Sequence, residues 1–181
     1  MSEKTASTRS SMSVKELAIT AVCIVLVYVF TAVVNVKLPI AAAGGLIHLG
    51  NVPLFIAAIL FGKRTGMIAG GIGMGLFDLL SGWTLWAPFT LVIVGCMGLV
   101  VGAVTENKKS FPRYILAMVL ACVIKIVGYY IAEGFIYGNW IAPVSSIPGN
   151  LVQAAMGLVI GLLLFFLLKR SKALDKLALG C

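Results

Sequence analysis

Residues 44–66 read GGLIHLGNVPLFIAAILFGKRTG. They hold the chain's one histidine, His48, three residues before Asn51, with Pro53 close behind. The apolar run Val52 to Phe61 lasts ten residues and gives way to the basic pair Lys63 and Arg64. Alone, the stretch suits a broken membrane helix, a buried core strand, or polar chemistry at the mouth of a membrane site. Its surroundings decide between these.

The chain has 181 residues, 61% of them hydrophobic and 11% charged. Soluble domains are about 45–50% apolar and about 25% charged, so this composition could not cover a water-soluble fold. Length argues for one domain. Roughly 20 apolar residues cross the hydrocarbon core as a helix. The stretches that qualify or come close are Val14–Val34, Leu46–Phe61, Gly66–Leu80, Pro88–Val104, Tyr114–Glu133 and Leu151–Leu168. Runs such as LLLFFLL lack the alternation of a transmembrane β-strand. The expected fold is therefore all-α, a polytopic membrane protein of six transmembrane helices.

Charge supplies the orientation. Lys4, Arg9 and Lys15 precede the first stretch, and Lys63 and Arg64 separate the second from the third. Lys108, Lys109 and Arg113 separate the fourth from the fifth, and Lys169, Arg170, Lys172 and Lys176 follow the sixth. With six crossings, 12 of the 14 basic residues share one side, leaving Lys37 opposite and Lys125 inside a helix. The positive-inside rule then makes both termini cytoplasmic. The net charge of +8 reports topology and contact with the lipid bilayer, with no call for nucleic acid.

Residues 1–13 are polar and predict a disordered cytoplasmic N-terminus. Residues 14–168 are expected to form the six-helix transmembrane domain, and 169–181 a basic cytoplasmic tail. The first stretch is long for a signal peptide and lacks a small-residue cleavage site, which predicts an uncleaved helix. Cys23, Cys96, Cys122 and Cys181 have neither metal-like nor disulfide-like spacing. GGIGMG, in the third stretch, misses the dinucleotide-loop spacing and lacks a βαβ context. Gly66/Gly70, Gly71/Gly75, Gly98/Gly102 and Gly157/Gly161 instead make small-xxx-small pairs for close helix packing in lipid.

The two ends of the bundle differ in chemistry. The inner end carries mainly lysine and arginine. The outer end gathers His48, Asn51, Asp78, Trp83, Trp86, Glu133, Tyr137, Trp140, Asn150 and, just inside the last helix, Gln153. An interfacial aromatic belt should mark both faces, yet all three tryptophans sit on this one. Tryptophans beside a few polar groups suit a small, flat, neutral ligand. Lys125 lies mid-helix, where a lysine costs roughly 2.5–3.5 kcal/mol on insertion scales, so it faces a cavity, the bundle or a partner. Tyr129 and Glu133 follow at four and eight residues, on much the same face. Lys125 could contact ligand or simply pair with Asp78. His48 could line the site or be solvated. No catalytic triad, metalloprotease motif or facing carboxylate pair occurs, so neither enzyme activity, metal nor cofactor is expected.

Residues 44–102, GGLIHLGNVPLFIAAILFGKRTGMIAGGIGMGLFDLLSGWTLWAPFTLVIVGCMGLVVG, resemble the substrate-binding S components of energy-coupling factor (ECF) vitamin transporters. The resemblance lies in the order of elements: an LGN-x-P stretch leading to FG, a glycine-rich helix ending DLLSG, then APFT. The most similar subgroup handles hydroxymethylpyrimidine or pyridoxine-like vitamins. The resemblance implies a multi-pass protein of a prokaryotic cell membrane that binds its vitamin from outside with high affinity. Its partners would be a transmembrane coupling protein and two ATP-binding ATPase subunits. The first outer loop, with His48 and Asn51, would act as a lid, and the short second helix would give way to it. In the family, alanines four apart on the first helix dock the coupling protein. Here Ala18 and Ala21 are followed by Val22, a rough match. A different class of function, a stand-alone secondary transporter using Asp78, Lys125 and Glu133 as an ion path, would suit internal repeats. No convincing repeat is visible.

Overall fold

The computed structural model describes residues 12–37, 46–107 and 110–170. The elements in order are α1 (Val14–Val33), β1 (Asn35–Lys37), β2 (Leu46–His48), α2 (Asn51–Leu80), α3 (Ala87–Glu106), α4 (Phe111–Tyr137), a 3-10 turn (Ala142–Ser146) and α5 (Ile147–Arg170). Among the described residues, five helices are long and apolar enough to cross a membrane.

The expected second and third helices form one element, α2, because the chain stays helical on both sides of a single reversal. Gly62 has φ 87 and ψ −179, a conformation essentially confined to glycine. Side-chain packing shows a hairpin. A Cβ on Gly66 would meet the Ala58 Cβ at 2.6 Å, and one on Gly70 would meet Leu54 Cδ1 at 2.5 Å. In a straight helix these pairs would lie about 12 and 24 Å apart. The two arms, 51–61 and 63–80, therefore run antiparallel in contact. The first arm spans only about 16 Å at 1.5 Å per residue, half a hydrocarbon core.

Three expectations need correction. The fold is not purely helical, since Asn35, Val36 and Lys37 pair antiparallel with His48, Ile47 and Leu46. Leu46–His48 is accordingly strand, and the helix starts at Asn51. β-branched and aliphatic residues suit so short a ribbon, which keeps this stretch out of the bundle. At the other end, α5 runs on through Lys169 and Arg170, into what reads as the tail. It also begins earlier, so Asn150 is helical. The expectations for residues 1–11 and 171–181 lie outside the described residues.

Local signals set the remaining ends. Ser13 caps α1 in a capping box with Glu16, while Pro88 and Pro112 sit in the first turns of α3 and α4. Val27, Leu54, Phe55, Ala58, Met74, Val94, Met97 and Ala121 fill the core at 1% exposure or less. α1 is tied in by a Thr20–Thr65 hydroxyl contact of 3.2 Å. At the Gly62 end, Lys63 pairs with Glu106 at 2.8 Å, and Arg113 donates to the Val104 carbonyl. The β ribbon, the 81–86 turn and the 3-10 turn gather at the opposite end.

Candidate functional site

That opposite end holds a cavity of about 50 Å³, lined by Leu46, His48, Asp78, Trp83, Trp86, Lys125, Tyr129, Glu133, Asn150 and Gln153. Every segment contributes for a local reason. Lys125, Tyr129 and Glu133, one helical turn apart, point inward from α4. Asp78 ends the second arm of α2. The 81–86 turn carries Trp83 and Trp86, while the first turns of α5 supply Asn150 and Gln153.

The floor is charged and buried. Lys125 is 1% exposed and Glu133 2%. The Lys125 ammonium lies 5.1 Å from the Tyr129 ring centroid, a cation–π contact, and acts electrostatically on Asp78. Asp78 is within hydrogen-bonding reach of the Thr90 hydroxyl, which shares a 2.9 Å bond with Tyr129. Trp83 and Trp86 meet edge to face at 5.3 Å, and Trp86 meets Tyr137 at 6.0 Å, forming an aromatic wall.

The ribbon closes the top. His48 Nδ1 accepts from the Gly50 N–H at 3.2 Å. Burial first, then the Lys125 charge, hold the imidazole pKa well below its ordinary value. The ring is thus neutral with its proton on Nε2, leaving that nitrogen a donor. Gln153 Nε2 donates to the Leu46 carbonyl, and Asn51 Nδ2 reaches the Gln153 carbonyl at 3.4 Å. Ribbon, α2 and α5 are fastened together at this point.

A model of the family described as "ECF-type riboflavin transporter, S component" matches residues 11–170. The chain belongs to this family. The S component is 36% identical over 135 residues to an uncharacterized protein of Pyrococcus woesei, covering 75% of this chain and 90% of that one. It is 29% identical to the thiamine precursor transporter HmpT of Lactococcus lactis, covering 90% of this chain and 93% of that one. A solved structure, described as the S component of a bacterial ECF transporter, superposes with a TM-score of 0.67 at 23% identity. It covers 88% of this chain and 95% of that one, showing a shared fold. The family is one of transporter subunits, not enzymes. Membership implies a vitamin substrate and a membrane-embedded energy-coupling module.

Within this S component, eight of the residues singled out in the sequence line the cavity: His48, Asp78, Trp83, Trp86, Lys125, Tyr129, Asn150 and Gln153. Two do not. Asn51 is fully buried at the helix start, with its Cβ close to Gly157. Trp140 is 50% exposed. The helix stops at Gly138, in the left-handed region at φ 60, and the chain folds back so that the indole lies over Gly134, against Tyr130 and Phe135. Leu46 and Glu133 join the lining without having been singled out as binding residues. The turn-by-turn spacing from Lys125 already pointed to Glu133, but nothing local marked Leu46. Among the described residues, no group of three His, Cys, Asp or Glu side chains could hold a metal.

Proposed function

We propose that this chain is the high-affinity, membrane-embedded substrate-binding subunit of an ATP-driven importer for a small water-soluble vitamin or precursor, hydroxymethylpyrimidine or pyridoxine. One observation carries the reading. Charged, polar and aromatic side chains from α2, α4, α5, the 81–86 turn and the ribbon converge on one cavity, whose polar groups a small ring could satisfy. The similarity to HmpT supports a thiamine precursor. The ligand would enter from outside, beneath the ribbon, and no cofactor takes part.

Energy would come from a transmembrane coupling protein and two ATPase subunits. Ala18, Ala21 and Val22 are exposed on α1, and small side chains there favour close approach by a partner helix. The hairpin at Gly62 supports six membrane passes with both termini in the cytoplasm of a prokaryotic cell. In a variant lacking the native cysteines, a cysteine at Ser81 would then label from outside and one at Asn107 from inside.

The test is purification in detergent, release of bound small molecules by heat, and mass spectrometry. A pyrimidine or pyridoxine-type vitamin is expected. Ion-driven uptake by vesicles holding this chain alone would instead favour a secondary transporter.

A further inference from the structure

Five buried side-chain atoms make no hydrogen bond among the described residues: Asn51 Oδ1, Trp86 Nε1, Glu133 Oε2, Tyr137 Oη and Gln153 Oε1. Such orphans are uncommon in folded proteins and call for an explanation. Three of their residues, Trp86, Glu133 and Gln153, line the cavity. Trp86 Nε1–H can only donate, and an ionised Glu133 carboxylate can only accept.

Glu133 lies within hydrogen-bonding reach of the Trp86 indole, but the Trp86 N–H is not aligned on it and Glu133 Oε2 is left without a partner. The indole is braced between Trp83 and Tyr137. Glu133 is held on α4 beside Ser146. Both present fixed polar atoms, a donor beside an acceptor.

The complementary ligand edge has an acceptor beside a donor. A ring nitrogen next to an exocyclic amine provides it, as in an aminopyrimidine. Pyridoxine offers no such edge at its ring nitrogen, which is flanked by a methyl-bearing carbon and a C–H, and only its rotatable hydroxyls could take that place. We infer that Trp86 and Glu133 together read the amidine-like edge of an aminopyrimidine, and that Glu133 is the residue that selects the amine. Charge adds that an anionic ligand such as a phosphate ester is disfavoured, since two lining carboxylates, Asp78 and Glu133, accompany one lysine. This inference rests on the substrate-binding reading above and narrows its two ligands to one.

The test is calorimetric titration of the detergent-purified protein with hydroxymethyl-aminopyrimidine, the same pyrimidine lacking the amine, and pyridoxine. The aminopyrimidine should bind at least about 100-fold more tightly than its deamino analogue, since sites built around a hydrogen bond reject ligands lacking it. Glu133→Leu should shrink that ratio to roughly threefold or less, the sign that residue and amine act as a pair. Glu133→Gln, closer in shape, should narrow it less and serves should the leucine variant fail to fold. Trp86→Phe keeps the ring but loses the donor, and should weaken both pyrimidines by roughly tenfold.

Equal binding of the two pyrimidines by the unaltered protein would overturn the inference while leaving the substrate-binding reading intact. Equal losses for both pyrimidines in Glu133→Leu would make Glu133 structural and also overturn it. Failure to bind either pyrimidine or pyridoxine would sink the substrate reading itself, and this inference with it.

Discussion

Each end of the bundle sets a lysine near carboxylates, and the two settings have opposite meanings. At the Gly62 end, Lys63 and Glu106 touch at 2.8 Å with both side chains nearly half exposed. Water and salt screen such a pair, which contributes about 0–1 kcal/mol. At the cavity end, Lys125 and Glu133 are almost wholly buried, and Asp78 sits within reach of the lysine charge. Burial makes these charges expensive, and on the proposed function their unused hydrogen-bonding capacity would go to a ligand. Contact distance alone would rank the exposed pair higher. Desolvation reverses the order.

The largest effect should follow Lys125→Met. Removing one partner from a buried charge cluster typically costs about 3–5 kcal/mol, so thermal stability should drop sharply and binding should be lost. Intact binding would end the contrast between the two ends.

Adding Asp78→Leu to that variant sharpens the point. If Lys125 only neutralises Asp78, the double change should restore both stability and affinity. We expect stability to recover while affinity stays low, because a ligand acceptor left unpaired in the cavity costs on the order of 1–3 kcal/mol. Thermal melting and calorimetry read the two separately.

Trp86→Ala should cost about 1–3 kcal/mol of binding as loss of a buried aromatic anchor. Trp140→Ala should leave affinity little changed, because its ring lies over Gly134 on the outer side of α4. Equal losses in the two variants would place Trp140 in the site after all.

Acid should open the ribbon. The folded His48 pKa lies well below its ordinary value, so the open state takes up protons first. The closed state's stability is fully present above about pH 6.5 and declines as pH falls below it. Affinity should fall with it, and His48→Gln should flatten that part of the profile. The smallest effect belongs to the other end: Glu106→Gln should shift stability by less than about 1 kcal/mol and leave binding unchanged.

Much of the site was legible because helical spacing is rigid. Lys125, Tyr129 and Glu133 share a face by periodicity alone, and a mid-helix lysine announces an interior role through its cost in lipid. Trp140 misled because its side chain follows a left-handed turn at Gly138, and no periodicity carries across such a turn. Leu46 was invisible because it enters the lining through a strand pairing with Lys37 and a bond from Gln153, 107 residues away.

The sequence by itself determined the solvent and the long apolar spans. Hydrophobic content, span length and the placement of lysine and arginine follow from transfer free energies that act residue by residue, so they can be read without coordinates. Only the tertiary structure decided that α2 folds back on itself at Gly62, that Trp86 faces the cavity while Trp140 faces out, and that the Trp86 indole comes within reach of Glu133 at the cavity wall. Those outcomes depend on one backbone torsion and on contacts between residues distant in sequence, where small changes in direction move a side chain from one surface to another.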